Sequence, residues 1–339
     1  MRMGGASGAM LAAAAFVGLS VDLCAAAEST QELPLGGVVL TKPADVNVVI
    51  EAADISINPE SVLAKYRIVN VGVAPATITL TFPMPDLDFS DPDASFAIPG
   101  SDPVNFVGLS TRTGGQSGGF TFTQSAQLNG KDITATLRQN KLALVPIGTF
   151  QNQLAALPPD AREKLAQAGV IAQVGNDVQG NPLFFPTWTV RTSGAKRHTF
   201  APGEPVELEL RYRTSVGMSL DTPLRNPLRS ERALATNVQQ HKTDYCVDDA
   251  FFTGLDKIAA ATEANTAKLR ERRIIFVLRG RTPPAPIKDF RLVVDKGRAD
   301  RVVSFCLDNL KRISPTAFEM RATDYTPERD LKVLLIGRN

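Results

Sequence analysis

Histidine is almost missing from this 339-residue chain, which has only His198 and His241. Neither shows the paired spacing of a helix-borne zinc site. Both lie beside basic residues in polar segments, so solvated side chains are expected. Cysteine is scarce too, at three residues, and tryptophan is single. No Gly-x-Ser-x-Gly elbow sits between an expected strand and an expected helix, so no serine nucleophile is indicated. An excess of one charge is also lacking: 37 Lys and Arg against 35 Asp and Glu, interspersed along the chain. Phosphate backbones are bound by concentrated basic footprints, so a nucleic-acid partner is not indicated. Beyond the N-terminus no apolar run approaches the roughly 20 residues of a membrane span.

What is present begins with the N-terminus. Arg2, the apolar run from Ala9 to Leu19 and the small residues Ala25, Ala26 and Ala27 read as a secretory signal over residues 1–27. A membrane anchor needs a longer run, and a lipoprotein signal at Leu23 and Cys24 is opposed by the preceding Asp22. The expected location is therefore periplasmic or secreted, with no transmembrane segment once the signal is removed. Removal also takes Cys24, leaving Cys246 and Cys306. An even count in an oxidising compartment favours a disulfide between them, two separate buried thiols being the alternative.

The expected fold is mainly β: an immunoglobulin-like β-sandwich over residues 28–216 with a helical insertion near 148–175, a connection over 217–243, and a smaller β-rich domain containing one helix over 244–339. Period-2 alternation carries this reading. Ala64, Tyr66 and Ile68 oppose Lys65 and Arg67; Ile78, Leu80 and Phe82 alternate with threonines; Val206, Leu208, Leu210 and Tyr212 oppose Glu207, Glu209, Arg211 and Arg213. The segment Asn70 to Pro75 is long enough for a hairpin loop joining the first two of these runs. Further strands are expected at 35–40, 104–109, 119–123, 133–137 and 183–191, with Asn129-Gly130 as a type I′ turn. Pro158, Pro159 and Asp160 start a helix that Gly169 ends. Beyond the connection, Phe251, Leu255, Ile258 and Ala261 recur at helical spacing behind Asp248 and Asp249, which suit an N-cap. Strands then follow at 273–279, 290–295, 302–306, 317–322 and 331–336.

Candidate chemistry is thin. Asp86, Asp88, Asp91 and Asp93 could wrap a calcium ion, although the Gly and terminal Glu of an EF-hand loop are missing; a solvated loop is the plainer reading. Asp248 and Asp249 could serve acid/base work but suit helix capping better. The basic run Lys268 to Arg273 could meet anionic lipid or polysaccharide, or form a solvated helix end. Trp188, with Phe184, Phe185 and Pro186, could stack a sugar or lie in the core.

Several blocks in fixed order resemble the exported bacterial family catalogued as domain of unknown function 4424. They are PIKDFRLVVDKG from Pro286, VVSFC ending at Cys306, ISPTAFEMRATDYTP from Ile313 to Pro327, YCVDD from Tyr245, RYRTSVG from Arg211, FPMPD from Phe82 and LGGVVLTK from Leu35. The resemblance spans nearly the whole chain after the signal. It implies export and a shared fold, and carries no activity or ligand. One departure is local: family members tend to have a Trp shortly before the Pro-Ile, where this chain reads Arg281, Thr282, Pro283, Pro284 and Ala285. The expected function is a non-catalytic envelope protein binding a protein or glycan through sandwich loops or an exposed strand edge. The alternatives are a carboxylate-based, metal-assisted hydrolase and a structural accessory factor of the envelope. No cofactor is expected apart from calcium at the aspartate loop.

Overall fold

A computed structural model describes residues 29–91, 94–148, 150–263, 269–279 and 285–338. The expected signal segment 1–27, Asp93, Lys268 and residues 281–284 lie outside them. The protein is mainly β, and three sheets carry most of it.

The largest sheet grows from the hairpin Val48–Ile57 with Ser61–Asn70. Its turn is built by Asn58, whose Oδ1 accepts the N–H groups of Glu60 and Ser61 at 2.8 and 2.9 Å. Pro205–Arg213 pairs with the second strand, and Ser110–Thr113 and Gln116–Ser117 complete that side. Leu208, Leu210 and Tyr212 point inward and are buried while Arg211 and Arg213 are exposed, as the alternation requires. On the other side, Ile287–Asp295 lies parallel to Val48–Ile57, followed by Ala317–Tyr325 and Lys311–Arg312. This sheet therefore joins strands from both sides of the connection expected at 217–243. Backbone hydrogen bonds, which the sequence does not display, decide that continuity.

A second sheet contains Thr121–Leu128, Thr189–Phe200, Ala76–Pro83 and Val39–Thr41. It faces the first across the main core, where the rings of Phe82 and Tyr212 meet edge to face at 5.1 Å. The hairpin expected between the runs 63–71 and 77–82 does not form, because strands Ser61–Asn70 and Ala76–Pro83 belong to different sheets. Asn70 makes the crossing: it is 1% exposed, its amide donates to the carbonyls of Ala74 and Phe200, and its Oδ1 accepts the N–H of Gly72. A buried amide that satisfied holds the chain in an arch instead of a turn.

The third sheet runs Ser29–Thr30, Gly217–Ser219, Leu269–Val277, Leu331–Arg338, Val302–Phe305, with Leu35–Gly36 parallel to Leu269–Val277. Both faces of Leu331–Arg338 are covered. Leu331, Val333 and Leu335 enter the main core, and Leu334 and Ile336 pack under helices Ala235–Tyr245 and Asp249–Glu263. Such double burial explains the unbroken apolar run. The segment expected as a connection thus supplies a strand and a helix, and two helices, not one, back this sheet.

Three further corrections are local. Residues 133–137, expected as a strand, begin helix Thr134–Gln139, because the Asn129-Gly130 turn leaves only Lys131–Asp132 as strand and Asp132 then accepts the N–H of Thr134. Residues 104–109 form turns before Ser110–Thr113, with Asp102 accepting from Val104 and Asn105 and Asn105 from Leu109. The insertion is wider than 148–175, holding helices Thr134–Gln139, Phe150–Ala155 and Pro159–Gln167 and the short pair Ile171–Asn176 with Pro182–Pro186.

Candidate functional site

Cys246 and Cys306 form a disulfide, with Cα atoms 5.1 Å apart. Cys246 ends helix Ala235–Tyr245 in the left-handed region, φ 53°, a costly conformation for a residue bearing a Cβ. Two residues on, the carboxylate of Asp248 accepts the N–H of Phe251 at 2.7 Å and caps helix Asp249–Glu263. Cys306 follows directly on Val302–Phe305, and the Ser304 hydroxyl donates to the Tyr245 carbonyl at 2.8 Å. The bridge and this hydrogen bond pin the junction of the two helices to one strand. Closing a loop of sequence separation 60 contributes roughly 4 kcal/mol on the chain-entropy model.

That strand is an edge. Val302–Phe305 pairs with Leu331–Arg338 and has no ladder partner on its other side among the described residues. In the large sheet, Ala317–Tyr325 is paired with Ile287–Asp295 except at Asp324, but on its outer side only Phe318 and Glu319 meet Lys311–Arg312 among the described residues. From Met320 to Tyr325 the second edge is open too. Between these two edges runs a cleft of about 1020 Å³. Its floor is apolar: Phe305 and Met320 are buried, and Phe305 meets Phe318 edge to face at 6.2 Å. Arg301, Asp308, Arg312 and Arg329 stand around it, and Leu310 lines it while remaining 38% exposed. An apolar floor with a charged rim and unpaired strand edges is suited to holding chain or ligand.

Beneath helix Ala235–Tyr245 the third sheet carries a buried ionic network. Arg273 donates to Glu32 at 3.1 Å, Glu271 at 2.7 Å, the Ser219 hydroxyl at 2.9 Å and the Thr30 carbonyl at 3.1 Å. His241 presents Nδ1 to the Asn237 carbonyl at 2.8 Å and Nε2 to Glu271 at 3.1 Å. Both partners accept, so the pair is fully satisfied when both nitrogens donate, in the imidazolium form. Burial lowers its pKa, but the hydrogen bond and charge of Glu271 outweigh this and raise it. Burial likewise pushes the Glu271 carboxyl upward, and His241 and Arg273 more than reverse it. The expectation of a solvated His241 is thus corrected, because Glu271, at 2% exposed, draws the imidazole inward.

The network is hidden in the sequence because the basic run Lys268 to Arg273 has the composition of a surface segment. Residues 269–273 instead open strand Leu269–Val277, in which Leu269, Glu271 and Arg273 share one face. The alternation continuing into Ile274-Ile275-Phe276 was the available signal.

The other candidates are dispersed. Asp86 is held by Arg191 at 3.0 Å on exposed surface. Asp88 accepts the Ser90 N–H at 3.0 Å, which holds its carboxyl below the usual range. The Asp91 carbonyl accepts from Ala94. Among the described residues no group of three or more His, Cys, Asp or Glu is placed to hold a metal ion. Trp188 is fully buried, donates to the Leu144 carbonyl at 2.7 Å and meets Phe150 edge to face, so it is core. His198 is partly buried against Phe200, and burial, then Lys196, lowers its pKa. A Gly-x-Ser-x-Gly spacing does occur at Gly115 to Gly119, but Ser117 lies in a hairpin strand with another strand after it.

Three comparisons bear on the chain. A family model described as domain of unknown function, DUF4424, matches residues 26–334. No curated protein matches the sequence. Among solved structures, the chain is similar to a crystal structure of a protein proposed to bind nutrients, from Legionella pneumophila subsp. pneumophila. The TM-score is 0.43 and the identity 9%, with 90% of this chain and 72% of that chain covered.

Proposed function

The chain belongs to the DUF4424 family, and from that premise we propose that it is an exported, non-catalytic binding module whose ligand is an extended polypeptide segment of an envelope protein. The carrying observation is the cleft of about 1020 Å³ between two open strand edges, Val302–Phe305 and the 320–325 part of Ala317–Tyr325. An added strand satisfies the free backbone groups of an edge, and alternate side chains of that strand would reach the floor of Phe305, Phe318 and Met320. The signal pattern over 1–27 and the disulfide support a periplasmic or secreted location, since such bonds persist in oxidising compartments. The immunoglobulin-like form of the sandwich belongs to the same proposal, supported by two facing sheets with an arch at Asn70. The hydrolase reading gains no support. A general acid near neutrality needs a carboxyl held high, whereas Asp88 accepts the Ser90 N–H, which keeps it low, and Asp248 is engaged as a helix cap.

The test is panning of a phage-displayed library of linear peptides on the mature chain, beside a glycan array. Enriched peptides should bind the native protein and lose at least tenfold in affinity on Ala322→Arg, which places a charged side chain in the cleft wall, while a thermal melt reports that the fold is kept. Glycan hits without peptide enrichment, or peptide binding untouched by Ala322→Arg, would overturn the reading.

A further inference from the structure

The face of strand Leu269–Val277 opposite the His241 network carries Arg270 and Arg272. Arg270 is registered opposite Gly337 of the neighbouring strand. Val302 is registered opposite Ile336, so Arg301 follows opposite Gly337 from the far side. Gly337 has a reason to be glycine: a Cβ there would stand 2.6 Å from Cγ of Arg301, so the Arg301 side chain passes over Gly337 on the face that carries Arg270 and Arg272. Two strand spacings separate the backbones of Arg270 and Arg301 by about 10 Å, and Arg272 is about 7 Å along its strand from Arg270. Each span lies within the combined reach of two arginine side chains.

These guanidinium groups lack the partners that the opposite face provides. Among the described residues neither Arg270 nor Arg272 forms an ion pair, and Nη1 of Arg272 and Nε of Arg301 are buried without a hydrogen-bond partner. Among the described residues the Arg301 guanidinium donates to the Lys296 carbonyl alone, at 3.2 Å. The nearby carboxylate of Asp300 is taken by Arg298 in a two-pronged pair at 2.9 and 2.7 Å, and Glu60 acts on Arg301 only at a distance. Burial, then repulsion from Arg301, Arg270 and Arg298, pulls the pKa of Arg272 below its ordinary value. Buried guanidinium N–H groups left unpaired are costly, and a protein has no folding reason to gather like charges. The row is reachable, since all three side chains are partly exposed and Arg301 lines the end of the cleft.

We propose that Arg270, Arg272 and Arg301 form a binding site for a dianionic tetrahedral oxyanion, free phosphate or sulfate or the phosphoryl or sulfuryl group of a larger molecule. Three cations without a carboxylate partner favour a dianion over a single carboxylate. Planar forks approaching from two strands match oxygens on different sides of a tetrahedron. The site shares Arg301 with the rim of the cleft, while Arg270 and Arg272 lie outside it, so its test does not depend on the peptide-binding reading.

Isothermal titration of the mature protein with inorganic phosphate, sulfate and glycerol 3-phosphate, each at ionic strength fixed by chloride, tests the site. Binding to at least one is expected, weakened about tenfold or more by Arg272→Met and by Arg301→Met and unchanged by Arg211→Met on the far sheet. Phosphate binding without glycerol 3-phosphate binding would identify a free ion, and the reverse an esterified group. Arg270→Met serves should either other variant fail to fold. In the absence of phosphate Arg272→Met should melt no lower than the parent, which an arginine with a purely structural role would not allow. No binding above the chloride control, or binding that survives all three cleft-side substitutions, would overturn the proposal.

Discussion

One strand, Leu269–Val277, shows two ways of burying arginine. On the helix side Arg273 has four partners, two of them carboxylates, drawn from residues 30–32, from Ser219 and from Glu271 of its own strand. On the core side Arg272, one residue earlier, has none among the described residues and is repelled by its neighbours. The two residues share a backbone and a chemistry, so the difference lies in what surrounds them. A charge whose partners come from the same fold holds segments together; one whose partners are missing is matched to something outside the fold.

The comparison breaks most visibly if Arg273 is removed. Arg273→Met leaves Glu32 buried without a cation and Glu271 with His241 alone, and should cost roughly 3–5 kcal/mol in denaturant unfolding. A loss below about 1 kcal/mol would show that the network is no more than a screened surface pair. Gly217→Ala attacks the same network through space. A Cβ there would stand 2.0 Å from Oε2 of Glu32 and 2.7 Å from its backbone nitrogen, and the carboxylate is held by Arg273. With neither atom free to yield, the expected cost is about 2–3 kcal/mol by the same measurement.

How far the sequence carried this far depends on the kind of interaction. The alternating strands around Tyr66, Phe82 and Tyr212 were legible because period-2 burial is written into the residue order. The Asp248 cap and the Cys246–Cys306 pair were legible because each needs only residue type and position. Pairing between strands was not. Nothing in the residues around Asp289 and Ala52 announces that they stand side by side in parallel. The arch at Asn70 was read as a hairpin because a six-residue connector fits either, and the choice rests on a carbonyl 130 residues away. The ionic network draws on Glu32, His241, Glu271 and Arg273, and only the last two are neighbours in sequence. The cleft was invisible for the same reason, since an open edge is defined by the strand that is not beside it.

The pH response should come from the networked face. The folded-state pKa of His241 is raised above its ordinary 6.5, so its contribution is complete below that value and is lost as pH rises through the folded pKa. Glu271 is shifted downward from 4.5, so its contribution is complete above that value and is lost as pH falls through the folded pKa. The network therefore contributes most between about 4.5 and 6.5, with Asn237, Tyr245, Arg273 and the Lys332-paired Asp244 around the imidazole. Chemical denaturation from pH 6 to pH 9 should show a steeper loss for the parent than for His241→Gln. His198 shifts the opposite way and is common to both proteins, so it cancels in the difference. Parallel curves would mean that the imidazole is not held as a cation.

The smallest effect is expected on the core-side face, at Gly337→Ala. The new methyl would meet Arg301 at Cγ, 2.6 Å away, and at Cα, 3.4 Å away. Unlike the Glu32 carboxylate, this side chain is not tethered by a carboxylate partner, so it can swing off the strand. Replacing glycine within a strand also returns a fraction of a kcal/mol by reducing the freedom of the unfolded chain. The two terms nearly cancel, and the net loss should stay below about 1 kcal/mol. What should change is oxyanion affinity, because Arg301 is displaced from its place over Gly337. A variant that folds as well as the parent yet loses phosphate would separate the two faces cleanly. If Gly337→Ala instead costs as much as Gly217→Ala, Arg301 is anchored as firmly as Glu32, and the contrast between paired and unpaired charge on this strand fails.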